Sequence, residues 1–196
     1  PPPCHQFPVL RRLPLKGTAA VRLTIERRLQ ERIEAIADRR MGKGAIVVLA
    51  PRTGEVLAMV SRPQFAPDRP GDYLGREDAP FMNRALAAYP PGSLFKLAVL
   101  AAVLEERPAA FWELYEDEGQ IAIGSSSFRC PEGAHGLLTL ADALAFSCNT
   151  TFIRLGLTLG PQRLLGMAER LGFGAPAAAD LPGEEPGELP AAAAVP

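Results

Sequence analysis

Apolar positions along this chain alternate between two periods. From Thr24, read as an N-cap with Glu26 in the first turn, Ile25, Leu29, Ile33, Ile36 and Ala37 keep a helical rhythm up to Arg40. Gly42 and Gly44 end it. Residues 45–50 form a β-branched run short enough for a buried strand, Pro51-Arg52-Thr53-Gly54 reads as a turn, and residues 55–61 form a second strand, so a hairpin is the natural result. Residues 62–83 are a non-periodic loop rich in proline and aspartate. The longest apolar run, residues 97–104, follows Tyr89-Pro90-Pro91-Gly92-Ser93-Leu94-Phe95-Lys96 and predicts a helix with Ser93 at its N-terminus, stopped by Glu105-Glu106-Arg107-Pro108. Its positions are apolar on every side, which predicts burial along most of its length.

Residues 109–136 are mixed, with residues 120–123 a short strand and 124–127 a turn. Thr139, with Asp142 three residues on, gives a capping-box start for a helix through Phe146. Ser147-Cys148-Asn149 interrupts that run with residue types that favour caps and loops. Helical spacing resumes through Phe152, Leu155 and Leu159 to Gly160, and a last helix opens on Pro161 and ends at Gly172. Residues 1–20 are proline-rich without a period, and from Phe173 the chain turns to alanine, proline, glycine and glutamate, as an interrupted domain would. The expected organisation is an irregular segment over 1–20 followed by a partial domain over 21–196.

A chain of 196 residues with 47% hydrophobic content can build one core. A net charge of -1 without a basic run leaves no electrostatic footprint for nucleic acid or for an anionic membrane surface. The start, Pro1-Pro2-Pro3-Cys4-His5-Gln6-Phe7-Pro8, shows no signal-peptide pattern, and the longest apolar run is too short to span a bilayer, so any membrane anchor is expected outside this chain. Three cysteines, Cys4, Cys130 and Cys148, make an odd count without framework spacing and argue against a disulfide scaffold. Cys130 and His135, five residues apart, allow a zinc reading, with the pair Cys4-His5 as the sole reserve. Packing thiols and a loop histidine explain them with less, and no metal or cofactor is expected.

Ser93 and Lys96, three residues apart, share one helix face. Burial at the mouth of an apolar helix favours the neutral amine, and a neutral lysine beside a serine is a base beside a nucleophile. Alone, the pattern is far more often just an N-capping serine and an ordinary helix lysine. Ser147-x-Asn149 downstream is an independent second datum, and Ser-x-x-Lys with a Ser-x-Asn element belongs to the signature of β-lactamases and penicillin-binding proteins. Arg52-Thr53-Gly54 imitates a Lys-Thr-Gly element, but its place between two strands accounts for the glycine without a ligand.

The resemblance extends beyond these patterns. Leu23-Thr24-Ile25-Glu26, residues 47–60, Asn83-Arg84-Ala85, Tyr89 to Lys96, Phe128-Arg129-Cys130 with His135-Gly136, Ser147-Cys148-Asn149-Thr150-Thr151-Phe152 and Asp180-Leu181-Pro182-Gly183-Glu184 are similar, in order, to penicillin-binding transpeptidases. The Tyr-Pro-Pro-Gly-Ser form resembles the class B, elongation-type branch of penicillin-binding protein 2. The resemblance implies an α+β fold shared with serine β-lactamases, an antiparallel sheet flanked by helices, here with its later strands missing. It implies a D,D-transpeptidase acting on the D-Ala-D-Ala end of peptidoglycan stem peptides through an acyl-serine, inhibited by β-lactams. Its location would be the extracytoplasmic face of the bacterial inner membrane, with a cell-wall glycosyltransferase as a possible partner.

Under that resemblance Ser93 is the nucleophile and its backbone N–H half of an oxyanion hole, and Lys96 is the base. Ser147 relays a proton to the departing amine, Asn149 binds substrate and holds Lys96, and the Cys148 thiol points into apolar packing. The chain departs from the family in having no Lys-Thr-Gly or Lys-Ser-Gly after Asn149. It is therefore expected to carry half an active site and to be acylated inefficiently alone, and its uncovered central helix implies poor solubility or oligomers. A β-lactamase, a β-lactam sensor and a non-catalytic binding fragment are the rival readings.

Overall fold

The computed structural model describes residues 22–177 and 181–192. Residues 1–20, with Cys4 and His5, lie outside the described residues, as does Asp180. The chain divides into two compact units, up to Ala85 and from Leu86 onward.

In the first unit, α1 (Arg27–Arg40) precedes an antiparallel hairpin of β1 (Gly44–Leu49) and β2 (Val56–Arg62). The expected N-cap is corrected: Glu26, not Thr24, caps α1, its carboxylate accepting from the Arg28 and Leu29 amides, while the Thr24 hydroxyl donates to the Val56 carbonyl at 2.6 Å. A carboxylate there also faces the positive end of the helix dipole. Glu26→Ala is expected to lower the stability of this unit by about 1 kcal/mol, read as a lower denaturant midpoint.

Helix α1 is tied to β2 by polar side chains more than by apolar ones. The Gln30 amide both donates to and accepts from the Met59 backbone at 2.9 Å, taking the part of a neighbouring strand. Arg62, 5% exposed, reaches Glu34 at 2.8 Å and Asp38 at 3.0 Å. Ala37, Ala58 and Val60 fill the space beneath. β1 is less covered than its run of branched residues suggests: Val47 and Leu49 point outward because only one face of a two-stranded sheet packs on α1. Arg52-Thr53-Gly54 is the hairpin turn, with Gly54 at φ 75° and its N–H bonded to the Ala50 carbonyl at 2.9 Å.

The second unit is built on α2 (Lys96–Glu106), α3 (Leu140–Ala145), α4 (Asn149–Leu159) and α5 (Pro161–Arg170). It also holds two small antiparallel pairs, β3 (Leu114–Asp117) with β6 (Gly136–Thr139), and β4 (Gln120–Ile123) with β5 (Ser126–Arg129). Only β4 was legible as a strand. Residues 126 and 127, expected in a turn, open β5 instead, because Gly124 at φ 56° lets a tighter turn close the hairpin. The capping box at Thr139 and Asp142 forms as expected.

The core joins Val99 and Val103 of α2 to Leu138, Leu140, Ala143, Cys148, Phe152 and Leu155. Helix α2 is not buried all round. Its Val99 and Val103 face this core and Ala98 and Ala102 are buried too, while Leu97 and the preceding Leu94 are 52% and 69% exposed, since no other part of the described unit packs on that side. The helices and small antiparallel sheets together make an α+β fold. Among the described residues no helix is long and apolar enough to cross a membrane.

Candidate active site

Ser93 sits on a 3-10 turn, Gly92–Phe95, that runs directly into α2 at Lys96. The sequence placed Ser93 at an α-helical N-terminus. The tighter turn, which Gly92 enters at φ 53°, keeps the serine exposed while the lysine at the junction is only 9% exposed. Lys96 Nζ lies 3.3 Å from Ser93 Oγ.

The other two expected residues arrive from the break between α3 and α4. Phe146, Ser147 and Cys148 close that break through bonds from their amides to the carbonyls of Asp142, Leu144 and Ala143. Ser147 takes φ 52°, a left-handed conformation costing a residue with a Cβ about 1–2 kcal/mol. The strain is used: Ser147 Oγ donates to Ser93 Oγ at 2.9 Å and accepts from Lys96 Nζ at 2.8 Å. Asn149 opens α4, accepts from Lys96 through Oδ1 at 2.7 Å and donates through Nδ2 to the Arg129 carbonyl at 2.8 Å. Lys96 also donates to the Ser147 carbonyl.

All four partners of Lys96 are neutral oxygens. No carboxylate holds its proton, and burial pushes the amine below the ordinary lysine value against a smaller opposing influence from the Cys148 and Cys130 sulfurs. The cluster is therefore a serine hydroxyl, a second hydroxyl and a lysine that holds its proton less tightly than an ordinary one, all within hydrogen-bond reach. The Ser93 backbone N–H lies in a first turn, where amides lack intrahelical partners. A cleft of about 360 Å³ opens beside Lys96 and Asn149, walled by apolar residues including Phe95, Val99, Phe152 and Leu164.

Behind the cluster stands a polar layer that sequence reasoning missed. Asp117, 1% exposed at the end of β3, accepts from the Thr150 hydroxyl, the Gly119 amide, the His135 amide and His135 Nδ1. Burial pushes its carboxyl up, but the bonds from Thr150, His135 and Gly119 outweigh this and hold it well below the usual carboxylate range. Thr150 follows Asn149, so Asp117 anchors the start of α4.

The cysteines take a more polar place than expected. Cys148 is fully buried and caps α4, its sulfur accepting from the Thr151 amide, while Cys130 Sγ accepts from the Asn149 amide at 3.2 Å. His135, stacked on Phe146 with ring centroids 5.1 Å apart, keeps a buried Nε2 without a hydrogen-bond partner, 3.9 Å from a Glu132 carboxylate oxygen. Ligand atoms of Asp117, Cys130, His135 and Cys148 all lie within 4.8 Å of one another. Two sulfurs, an imidazole and a carboxylate are donors that could hold a tetrahedral Zn²⁺. Cysteine and histidine spacing gave no sign of Asp117, which joins them through strand pairing.

A family model described as the penicillin binding protein transpeptidase domain matches residues 44–194. Stage V sporulation protein D of Bacillus subtilis (strain 168) is 35% identical over 186 residues, which cover 90% of this chain and 28% of that protein. The structure of Pseudomonas aeruginosa PBP2 in complex with WCK 5153 is similar at a TM-score of 0.77 and 34% identity, over 86% of this chain and 41% of that one. Penicillin-binding protein A from Mycobacterium tuberculosis, solved as its penicillin G acyl-enzyme complex, is similar at a TM-score of 0.72 and 30% identity, over 82% and 42%. The chain thus spans less than half the length of these proteins. With its cluster of Ser93, Lys96, Ser147 and Asn149 on an α+β scaffold, the chain belongs to the penicillin-binding protein transpeptidase family, in its class B, penicillin-binding protein 2-like branch.

Proposed function

We propose that residues 21–196 form part of a peptidoglycan D,D-transpeptidase domain and carry its acylating residues. The observation that supports this best is Lys96 Nζ, buried among neutral oxygens, within 3.3 Å of the exposed Ser93 hydroxyl. In this reading Lys96, in its unprotonated form, takes the Ser93 proton directly or through Ser147 Oγ as Ser93 Oγ attacks the penultimate D-alanine carbonyl. The Ser93 backbone N–H stabilises the oxyanion. Ser147 passes the proton to the departing amine, terminal D-alanine leaves, and Asn149 hydrogen-bonds the substrate backbone while holding Lys96. The amine of a second stem peptide then takes the acyl group. A β-lactam occupies the same place and acylates the same oxygen. The setting is the outer face of the bacterial inner membrane, and a cell-wall glycosyltransferase is the partner.

Exposure of the purified chain to a fluorescent penicillin should label Ser93, and Ser93→Ala should abolish the label. Label on another residue, or label that survives Ser93→Ala, would overturn the assignment. A folded chain that never labels would favour a binding fragment, and rapid release of the label a β-lactamase.

A further inference from the structure

Ser93 is reached through a stiff stretch of chain. The rings of Pro90 and Pro91 lock two φ angles, that of Pro91 at -68°, Gly92 turns the backbone at φ 53°, and the Pro91 carbonyl accepts from the Leu94 amide at 3.1 Å. With so little freedom between Ala88 and Ser93, whatever holds the Ala88 backbone also sets where the serine hydroxyl stands. The setting is a fine one, because the 3.3 Å between Lys96 Nζ and Ser93 Oγ is already at the long end for a hydrogen bond.

What holds Ala88 lies 97 residues further along the chain. Glu185 Oε2 accepts from the Ala88 amide at 2.8 Å, and the Glu185 amide donates to the carbonyl of the buried Leu86 at 2.8 Å. The neighbouring acid turns elsewhere: the Glu184 carboxylate accepts from the Ala177 amide and closes its own segment. Earlier in the same stretch Phe173 packs edge-on against Phe95, the residue that ends the Ser93 turn, with ring centroids 5.5 Å apart. The chain after α5 therefore meets the nucleophile's surroundings on both sides of the serine. Between these contacts a cleft of about 520 Å³, lined by Tyr89, Pro90, Pro91, Pro186 and Glu188, parts the two segments, so no packed core stands in for the bonds of Glu185.

We infer that Glu185 is a positioning residue for acylation: its carboxylate oxygen holds the Ala88 amide and, through Pro90 and Pro91, sets the Ser93 turn against Lys96. The accepting oxygen matters here and the negative charge does not, since the partner is a neutral amide. Glu185 and Ala88 are both exposed, so water replaces the lost bond when Glu185 is truncated and the fold as a whole loses little. The consequence for acylation rests on the proposed function; the hold on Ala88 does not.

The test compares the full chain with Glu185→Ala and Glu185→Gln. Hydrogen–deuterium exchange over residues 88–94 should be about tenfold faster in Glu185→Ala, with peptides from α4 unchanged, and should match the parent in Glu185→Gln, which keeps an accepting oxygen. Time courses with a fluorescent penicillin at several concentrations separate its reversible binding from the acylation rate constant. In Glu185→Ala the rate constant should fall about tenfold with binding unchanged, and in Glu185→Gln it should stay within about twofold of the parent. Parental exchange over 88–94 in Glu185→Ala would overturn the hold, and a Glu185→Gln as impaired as Glu185→Ala would overturn the role of the accepting oxygen. A parental rate constant in Glu185→Ala, or a loss confined to reversible binding, would overturn the positioning of Ser93. A parent chain that never labels counts against the transpeptidase reading instead, and the exchange then decides the hold of Glu185 by itself.

Discussion

Lys96→Met is expected to lower the rate of β-lactam acylation at Ser93 by about 10²–10⁴-fold, the range of a positioned general base. Methionine keeps an unbranched chain of similar bulk beneath Ser93 and Ser147 but cannot take a proton. In the parent chain the rate should climb with pH as the amine loses its proton, and level off below the ordinary lysine value of 10.5, because burial has lowered the folded value. The sign of the linked stability effect follows from the same shift. Between the lowered folded value and 10.5 the unfolded chain binds a proton that the folded chain does not, so stability rises with pH through that window. Below the folded value the cost of charging a buried amine is present in full. Lys96→Met removes that dependence and the acylation together. A pH profile of acylation that still rises in Lys96→Met, or a rate within tenfold of the parent, would remove Lys96 from the role of base.

Three of the four residues of the cluster, Ser93, Ser147 and Asn149, were legible because each also answers a local backbone need, and Lys96 through its spacing from Ser93. Ser93 falls in a turn after two prolines and a glycine, and Ser147 and Asn149 break a helix at residues that favour breaks, so motif and punctuation coincide. The geometry of the break was not legible. Ser147 at φ 52° violates its own conformational preference, and the bonds of the 146–148 amides to α3 carbonyls and of its hydroxyl to Ser93 and Lys96 hold it there. Glu26 displaced Thr24 as a cap for a related reason: the Thr24 hydroxyl found the Val56 carbonyl, a long-range partner that no local rule contains. The same limit hid β3 and β6, four-residue strands whose pairing joins Leu114 to Thr139 across the whole β4–β5 hairpin. Helix α2 shows the converse, since all-round hydrophobicity states what a helix can bury and leaves open what is present to cover Leu97.

Asp117 escaped the sequence reading entirely, as one acid among several in an aperiodic stretch, and its removal is expected to be the most destabilising single change in the second unit. Asp117→Ala leaves the Thr150 hydroxyl, the amides of Gly119 and His135 and the His135 Nδ1 proton without their acceptor, in a place that water does not reach freely. Each unmade buried bond costs about 1–3 kcal/mol, and losing one partner of a buried charged network costs about 3–5 kcal/mol in all. Asp117→Asn is the sharper probe. It preserves shape and one accepting oxygen, but turns an NH₂ group toward donors that already point inward, so it should lose most of that stability despite its size. The damage should reach the cluster through Thr150, which Asp117 holds one residue beyond Asn149. Acylation of Ser93 should therefore fall in any Asp117→Asn protein that remains folded, with Ser93 and Lys96 untouched in sequence. A thermal midpoint and an acylation rate both equal to the parent would show that the Asp117 layer supports neither the fold nor the start of α4.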